Sequence, residues 1–239
     1  MELNNFIYAD LSTYSPAKSI AFYKAIFGWN YYGSKDYHVA YVGNTEVAGL
    51  YETPQKFKQM RMPHFWMSYI QVNSVAETVQ KVKKLGGIVE LETDLFFMDK
   101  IALIRDPSGA GCTIYEGDNL TNVRTNTKAN TLVWNELHVS DVAKVIPFYQ
   151  GIFDWTIQQV TEDLYQIHNG NHEYISNIVA VSNEFKGKYE YWICTFAVQN
   201  LQATKKRILK NGGTQISAEK HRILCTDNSG EAFFYIQEV

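Results

Sequence analysis

Two carboxylates and one imidazole in this 239-residue chain stand where side chains could exchange protons with a bound molecule. Asp10 lies in the alternating segment FIYADLS, and Glu136 lies 126 positions later in LVWNELHV, with His138 two residues beyond it. Successive side chains of an extended strand point to opposite faces. Asp10 therefore shares a face with Tyr8 and Ser12, and Glu136 shares one with Trp134 and His138. Ile7, Ala9 and Leu11, and in the second segment Val133, Leu137 and Val139, form the apolar rows. A carboxyl group surrounded by aromatic rings loses hydration, which raises its pKa and equips it as an acid or base near neutral pH. Glu136 and His138 on one face suit a proton relay or half of a metal site. The alternative for both carboxylates is structural, with each solvated at a strand end or paired with Lys or Arg.

Two further segments have the same alternation. FWMSYIQV sends Met67, Tyr69 and Gln71 to one face, and YWICTFAV sends Ile193, Thr195 and Ala197. Tyr8, Tyr69 and Trp134 are candidates for stacking on a flat ligand, whereas Trp66 and Trp192 fall on the opposite, core-facing rows. His64, His168, His172 and His221 read as surface residues on turns and outer strands.

These four segments belong to a repeat. AFYKAIFGW at Ala21 to Trp29 returns as PFYQGIFDW at Pro147 to Trp155, and Trp66, Val72 and Gly86-Gly87 return as Trp192, Val198 and Gly212-Gly213, all offset by 126. RDPSG and TDNSG carry the same Asp and Gly at an offset of 121, so the second half is about five residues shorter before that turn. A weaker offset of 59 lays Ala17–Trp29 on Ala76–Ile88, with Ile20, Tyr23 and Ile26 over Val79, Val82 and Leu85 in one helical stripe. Four modules follow from this, each an alternating strand, a helix closed by a glycine or Asp154 turn, and about three short strands. The expected division is residues 1–119 (modules about 1–58 and 59–119), a polar linker at 120–130, and residues 131–239 (modules about 131–185 and 186–239).

The composition is that of a folded globular chain, with 46% hydrophobic and 20% charged residues. A net charge of −3 gives no electrostatic basis for a nucleic-acid or anionic-membrane partner. Three widely spaced cysteines without a CxxC pair fit a reducing compartment and oppose a disulfide frame or a thiolate zinc site. The N-terminus lacks a signal-peptide pattern and no apolar run reaches membrane-spanning length, so a cytoplasmic location is expected. No phosphate loop and no nucleophile elbow is present.

The module order, with FYxxIFxW early and a D-P-x-G turn before the last strand, resembles the vicinal oxygen chelate superfamily. That group includes glyoxalase I, the bleomycin and fosfomycin resistance proteins and the extradiol dioxygenases. The resemblance implies an α+β fold of four βαβββ modules, forming two tandem glyoxalase-like domains whose curved mixed sheets enclose clefts. It also implies a divalent metal held by His and Glu from the first and last strands of the modules. At the matching first-strand positions stand Tyr8, Met67, Trp134 and Ile193; at the last-strand positions stand Thr113 and Phe234, with the other two near Gly49 and Ser176. None of the first four is a usual ligand.

The expected function is therefore metal-independent binding of a small aromatic or amphipathic molecule, with no cofactor. Tyr8, Ser12, Met67, Tyr69, Gln71, Trp134 and Thr195 are its candidate contacts. The alternative is a lyase, isomerase or dioxygenase of glyoxalase type that uses Asp10 or Glu136 as general base beside His138, with or without a noncanonical divalent metal. A third reading is an interaction module with degenerate clefts. Tandem fusion commonly replaces a homodimer in this fold, which favours a monomer.

Overall fold

The computed structural model describes residues 3–94 and 99–239. Module one runs β1 (Phe6–Thr13), α1 (Pro16–Phe27), β2 (Asn30–Gly33), β3 (Tyr37–Val42), β4 (Thr45–Glu52) and a short α2 (Gln55–Gln59). Module two runs β5 (Phe65–Gln71), α3 (Val75–Lys84), β6 (Ile88–Asp94), β7 (Lys100–Arg105) and β8 (Gly111–Glu116). Module three runs β9 (Leu132–Val139), α4 (Val142–Ile152), β10 (Thr156–Gln159), β11 (Leu164–His168), β12 (Tyr174–Ala180) and α5 (Asn183–Lys186). Module four runs β13 (Tyr191–Val198), α6 (Leu201–Lys210), β14 (Thr214–Ala218), β15 (Arg222–Thr226) and β16 (Phe233–Glu238).

The fold is α+β, with two open eight-stranded mixed sheets ordered β2-β3-β4-β1-β5-β8-β7-β6 and β10-β11-β12-β9-β13-β16-β15-β14. Within a module the first strand pairs in parallel with the last, and the last three strands form an antiparallel meander. Among the described residues no helix is long and apolar enough to cross a membrane.

Each helix starts and stops for a local reason. Ser74, Asp141 and Asn200 accept hydrogen bonds from the backbone N–H three residues on, capping α3, α4 and α6. Pro16 opens α1, where its missing N–H costs nothing. Gly28 closes α1 in the left-handed conformation at φ +70°. In the second copy α4 instead leaves through Phe153 in extended conformation, so Asp154 does not repeat the glycine exit.

Contacts divide the chain into two compact units. Unit 1 comprises Met1–Ile7, Ser68–Thr121 and Asn135–Trp192; unit 2 comprises Tyr8–Met67, Asn122–Trp134 and Ile193–Val239. These units differ from the two sequence halves divided near residues 120–130, because each takes one module from each half. The duplicated motif is the physical cause. In unit 1 Trp155 Nε1 donates to the Asn4 carbonyl at 2.7 Å, and in unit 2 Trp29 Nε1 donates to the Asn130 carbonyl at 2.8 Å. Each tryptophan thus fastens its own helix exit to the segment that leads into the other half.

The Gly-Gly pairs work the same way. Gly86 and Gly212 take positive φ at the helix ends. Their neighbours are bare for a different reason: a Cβ on Gly87 would lie 2.6 Å from Phe148 Cε2, and one on Gly213 would lie 3.1 Å from Phe22 Cε2 and 2.5 Å from the Thr226 carbonyl. Phe22 and Phe148, the repeated Phe of FYxxIFxW, each pack on the glycine of the other half. Asn122–Trp134, which includes most of the expected linker, is packed into unit 2; Thr125 N–H bonds to the Leu132 carbonyl, and Lys128 Nζ to Thr45 Oγ1 at 2.9 Å.

Each unit also buries a carboxylate under its D-x-S-G turn. In unit 1 Asp106 Oδ1 accepts backbone N–H from Ser108, Gly109 and Ala110 at 2.8, 2.8 and 3.1 Å. Its Oδ2 takes the Tyr149 hydroxyl at 3.0 Å, and that hydroxyl receives Trp192 Nε1 at 3.0 Å. Unit 2 repeats Trp66 Nε1 on the Tyr23 hydroxyl at 3.0 Å. Trp66 and Trp192 are therefore held in the core with their N–H groups satisfied.

Candidate functional site

The parallel register fixes which residues are equivalent at the middle of each sheet. Asp10 pairs with Gly49, Tyr69 with Thr113, Glu136 with Asn177 and Thr195 with Tyr235. Counting from the turn glycine had reached Phe234 and, less firmly, Ser176. One extra residue in the turn before β16 moves the first to Tyr235, and one extra residue in the turn between β11 and β12, where His168 pairs with Tyr174 as Tyr41 pairs with Glu46 in module one, brings Asn177 opposite Glu136. Phe234 faces the core, packed on Phe22, Tyr23 and Phe27.

In unit 2 the structure brings Tyr8, Asp10 and Ser12 together with Tyr37, Glu46, Tyr51 and Thr53. The Tyr37 hydroxyl donates to Asp10 Oδ2 at 3.3 Å, and its ring stacks on Tyr51 at 6.3 Å and 8°. Ser12 Oγ lies 2.9 Å from Thr53 Oγ1. Burial, then the charge of Glu46, raises the Tyr8 pKa; burial, then the charge of Asp10, raises that of Tyr51. These phenols stay protonated donors around the carboxylate. Gly49 makes room for the arrangement, since a Cβ there would lie 2.0 Å from the Tyr37 hydroxyl oxygen and 2.9 Å from Asp10 Cβ. Gly49→Ala is expected to displace Tyr37 and to cost about 1–3 kcal/mol. Adding Tyr37→Phe should cost less than the sum of the two single changes; an additive double variant in urea denaturation would show that the ring is not what resists the methyl group.

The other aromatic candidate of unit 2 is Trp134, which is half-buried with the Arg124 guanidinium 4.8 Å from its ring centroid. Burial lowers the Arg124 pKa to about 10, and its Nε donates to the Val133 carbonyl at 3.3 Å. Tyr235, opposite Thr195, carries Arg222 4.2 Å above its ring. Thr195 and Met67 are buried.

Unit 1 holds the carboxylate–imidazole pair. Glu136 Oε1 and His138 Nε2 are 2.7 Å apart, with both side chains almost wholly enclosed. Asn177 Nδ2 donates to Glu136 Oε2 at 3.2 Å, and the Tyr174 hydroxyl donates to Asn177 Oδ1 at 2.6 Å. The Tyr191 ring lies 6.0 Å from the imidazole. Burial and the charge of Glu190 push the Tyr191 hydroxyl up to about 12. Below it Lys186 is enclosed, its Nζ bonded to Glu190 at 2.9 Å and Asn183 Oδ1 at 2.6 Å, which ties the 183–190 loop. Tyr69 is half-buried, and Gln71 is taken up by structure, its Nε2 on the Gly117 carbonyl at 3.1 Å.

His64 departs from the surface reading. It is partly buried, stacked 4.8 Å from Tyr14, with Nδ1 3.0 Å from Thr13 Oγ1. All three cysteines are buried thiols outside any disulfide, and burial raises the Cys112 and Cys225 thiols, which removes their nucleophilic character.

The donor set does not fit a divalent metal of the kind the fold family binds. Trp134 and Ile193 offer no ligand atom, Met67 offers only a soft thioether, and Glu136 and His138 are engaged with each other. Among the described residues no three His, Cys, Asp or Glu side chains are grouped to hold an ion. Sequence reasoning missed Tyr37, Tyr51, Tyr174, Asn177, Arg124 and Arg222, because each reaches the site from a neighbouring strand or the linker, and strand alternation gives faces but not neighbours.

Comparison with known proteins gives a consistent picture. Residues 6–112 match the model of the Glyoxalase/Bleomycin resistance protein/Dioxygenase superfamily. The protein named "Putative glyoxylase CFP32" of Mycobacterium tuberculosis is 25% identical over 222 residues, covering 89% of this chain and 84% of its own. The anthracycline biosynthesis protein DauV of a Streptomyces species is 24% identical over 230 residues, covering 86% and 81%. In three dimensions a Mn(II)-bound glyoxalase from Novosphingobium aromaticivorans aligns with TM-score 0.67 at 10% identity, over 99% of this chain and 82% of that one. The 2,2',3-trihydroxybiphenyl 1,2-dioxygenase of Sphingomonas wittichii aligns with TM-score 0.66 at 10% identity, over 100% and 91%.

Proposed function

We propose, from the premise that the chain belongs to the vicinal oxygen chelate superfamily, that it takes up a small aromatic or amphipathic molecule without a resident divalent metal. The observation that carries this reading is the set of residues at the superfamily's ligand positions. Tyr8, Met67, Trp134 and Ile193 on the first strands, and Gly49, Thr113, Asn177 and Tyr235 opposite their successors, supply three rings, one amide, hydroxyls and apolar groups rather than His and Glu. Rings with polar tips suit a flat partner that carries a few polar groups. The relatives named for glyoxylase activity and anthracycline biosynthesis point to the same scale of ligand.

A thermal-shift screen tests it. Aromatic compounds with hydroxyl or carbonyl groups are expected to raise Tm, since a ligand at about 100 times its Kd adds about 2.7 kcal/mol. Mn, Fe, Ni and Zn salts should leave Tm unchanged, and untagged protein purified without chelator should carry no metal above background by plasma mass spectrometry. About one equivalent of metal per chain would overturn the metal-free part of the reading; a panel in which nothing shifts Tm would overturn ligand binding.

One observation favours the catalytic alternative for unit 1. Glu136 and His138 form a hydrogen-bonded acid–base pair, whereas Asp10 accepts the Tyr37 hydroxyl on Oδ2. If turnover of a ligand is found, Glu136→Gln should reduce it and Asp10→Asn should not.

A further inference from the structure

We infer that Asn211 is a site of self-modification: its side chain closes on the Gly212 backbone nitrogen, loses ammonia and leaves an isoaspartate that loosens unit 2 at the exit of α6. The reaction needs only water and is independent of the binding function.

Asn-Gly steps occur twice in the chain, at Asn169–Gly170 and Asn211–Gly212. Glycine has no Cβ to shield the nitrogen that must attack, so both steps are chemically competent. The fold separates them. Asn169 is buried in the turn between β11 and β12, where its Oδ1 accepts the N–H groups of Asn171 and Glu173 at 3.0 and 2.9 Å. Its Nδ2 donates to Glu173 Oε2 at 2.7 Å. Cyclisation there would break three hydrogen bonds in an enclosed turn. Asn211 instead stands exposed at the end of α6, with Nδ2 on the Arg207 carbonyl at 2.8 Å. The attacking nitrogen of Gly212 is held by a 3.3 Å contact to the Leu209 carbonyl, longer than an ordinary N–H···O bond. A helix end opens at little cost, which frees this nitrogen to turn towards Asn211 Cγ.

The atoms balance. The Gly212 nitrogen gives its proton to water and bonds to Asn211 Cγ; the Cγ–Nδ2 bond breaks, and Nδ2 takes up a proton and departs as ammonia. Water then opens the resulting succinimide. Attack on the main-chain carbonyl gives isoaspartate, with the backbone running through Cβ and Cγ, and attack on the other carbonyl gives aspartate.

The repeat supplies a control. Leu85 ends α3 with φ −95° and ψ 14°, against −98° and 15° for Asn211, and Gly86-Gly87 follow it as Gly212-Gly213 follow Asn211. The same backbone exit in unit 1 therefore carries a side chain that cannot cyclise. In unit 2 the product strains its surroundings. Isoaspartate adds a carbon to the main chain directly before Gly212, which takes φ +91°, and Gly213, where a Cβ would lie 2.5 Å from the Thr226 carbonyl oxygen and 3.1 Å from Phe22 Cε2. It also sets a carboxylate at the C-terminus of α6, where the helix dipole disfavours negative charge.

Ageing the full chain near neutral pH at physiological temperature, followed by peptide mapping with electron-transfer fragmentation, tests the site. Asn211 is expected to convert to more isoaspartate than aspartate while Asn169 stays intact; in guanidinium chloride both should convert at similar rates. An unmodified Asn211, conversion to aspartate alone, or a folded-state Asn169 that reacts as fast would overturn the assignment. An Asn169 that stays inert in guanidinium chloride would refute the fold as the source of its protection. Asn211→Leu, which copies the exit of α3, should keep its Tm on ageing, whereas the wild-type Tm should fall as isoaspartate accumulates. Equal Tm for fresh and converted wild type would refute the loosening of unit 2.

Discussion

Trp29→Ala is expected to destabilise unit 2 by about 3–5 kcal/mol, the range for truncating a large buried aromatic side chain. Trp29 is wholly buried and packs on Tyr23, Phe27, Tyr31, Trp66 and Phe196. Its Nε1–H also satisfies the Asn130 carbonyl. Trp29→Phe keeps a ring in the stack and loses that hydrogen bond together with part of the packed area, so it should cost distinctly less than the alanine change. Urea denaturation separates the two contributions. If both variants shifted the midpoint equally, the hydrogen bond rather than the stack would be the dominant contribution; if neither shifted it by as much as 1 kcal/mol, the tryptophan would not be the fastening of the unit.

Asp106→Ala is the second large effect, about 3–4 kcal/mol, because four donors lose their acceptor in a buried turn. Asp106→Asn keeps a carbonyl for the backbone N–H groups and should cost far less. The pair of variants also reports on pH. Burial raises the Asp106 pKa, with the Tyr149 hydroxyl and the backbone N–H groups opposing the shift only in part. A carboxyl whose folded pKa lies above its unfolded value of about 3.9 binds more protons in the folded state. Its contribution to stability is fully present below the unfolded pKa and is lost as pH rises through the folded pKa. The Tm of Asp106→Asn relative to wild type should therefore climb as pH is raised from the acid range towards neutrality. A relative Tm that falls over this range would reverse the sign of the shift. Asp227 in unit 2 is shifted the same way by burial, so the Asp106→Asn variant should itself keep part of this pH dependence.

How much of this was legible in the sequence depends on the range of the interaction. The strand faces were readable because alternation is a property of consecutive residues: Tyr8, Asp10 and Ser12 share their side of β1, and Glu136 and His138 share theirs on β9. The helices were readable from three-residue spacing and from their glycine exits, although the α4 exit differs because Asp154 replaces the glycine. The family resemblance came from the order of motifs and carried the fold with it. By contrast Gly49 looks like an ordinary strand glycine until the Tyr37 ring is seen occupying the space of its absent side chain. Asn177 lies one position from Ser176, within the residue or two that counting leaves open, because a turn one residue longer before β12 is invisible to counting.

The sequence by itself determined the module: its strand, helix and meander, the face on which each carboxylate stands, and the duplication that made four of them. These follow from local backbone periodicity and side-chain type, which act over a few residues. Only the tertiary structure decided which modules share a core and which donors surround each carboxylate. The repeated Trp and Phe occur in both halves, so local sequence does not say on which copy each docks; their partners depend on chain connectivity and packing. The difference between Asp10 beside Tyr37 and Glu136 beside Asn177 likewise depends on residues 27 and 41 positions away, brought within hydrogen-bond reach by strand pairing.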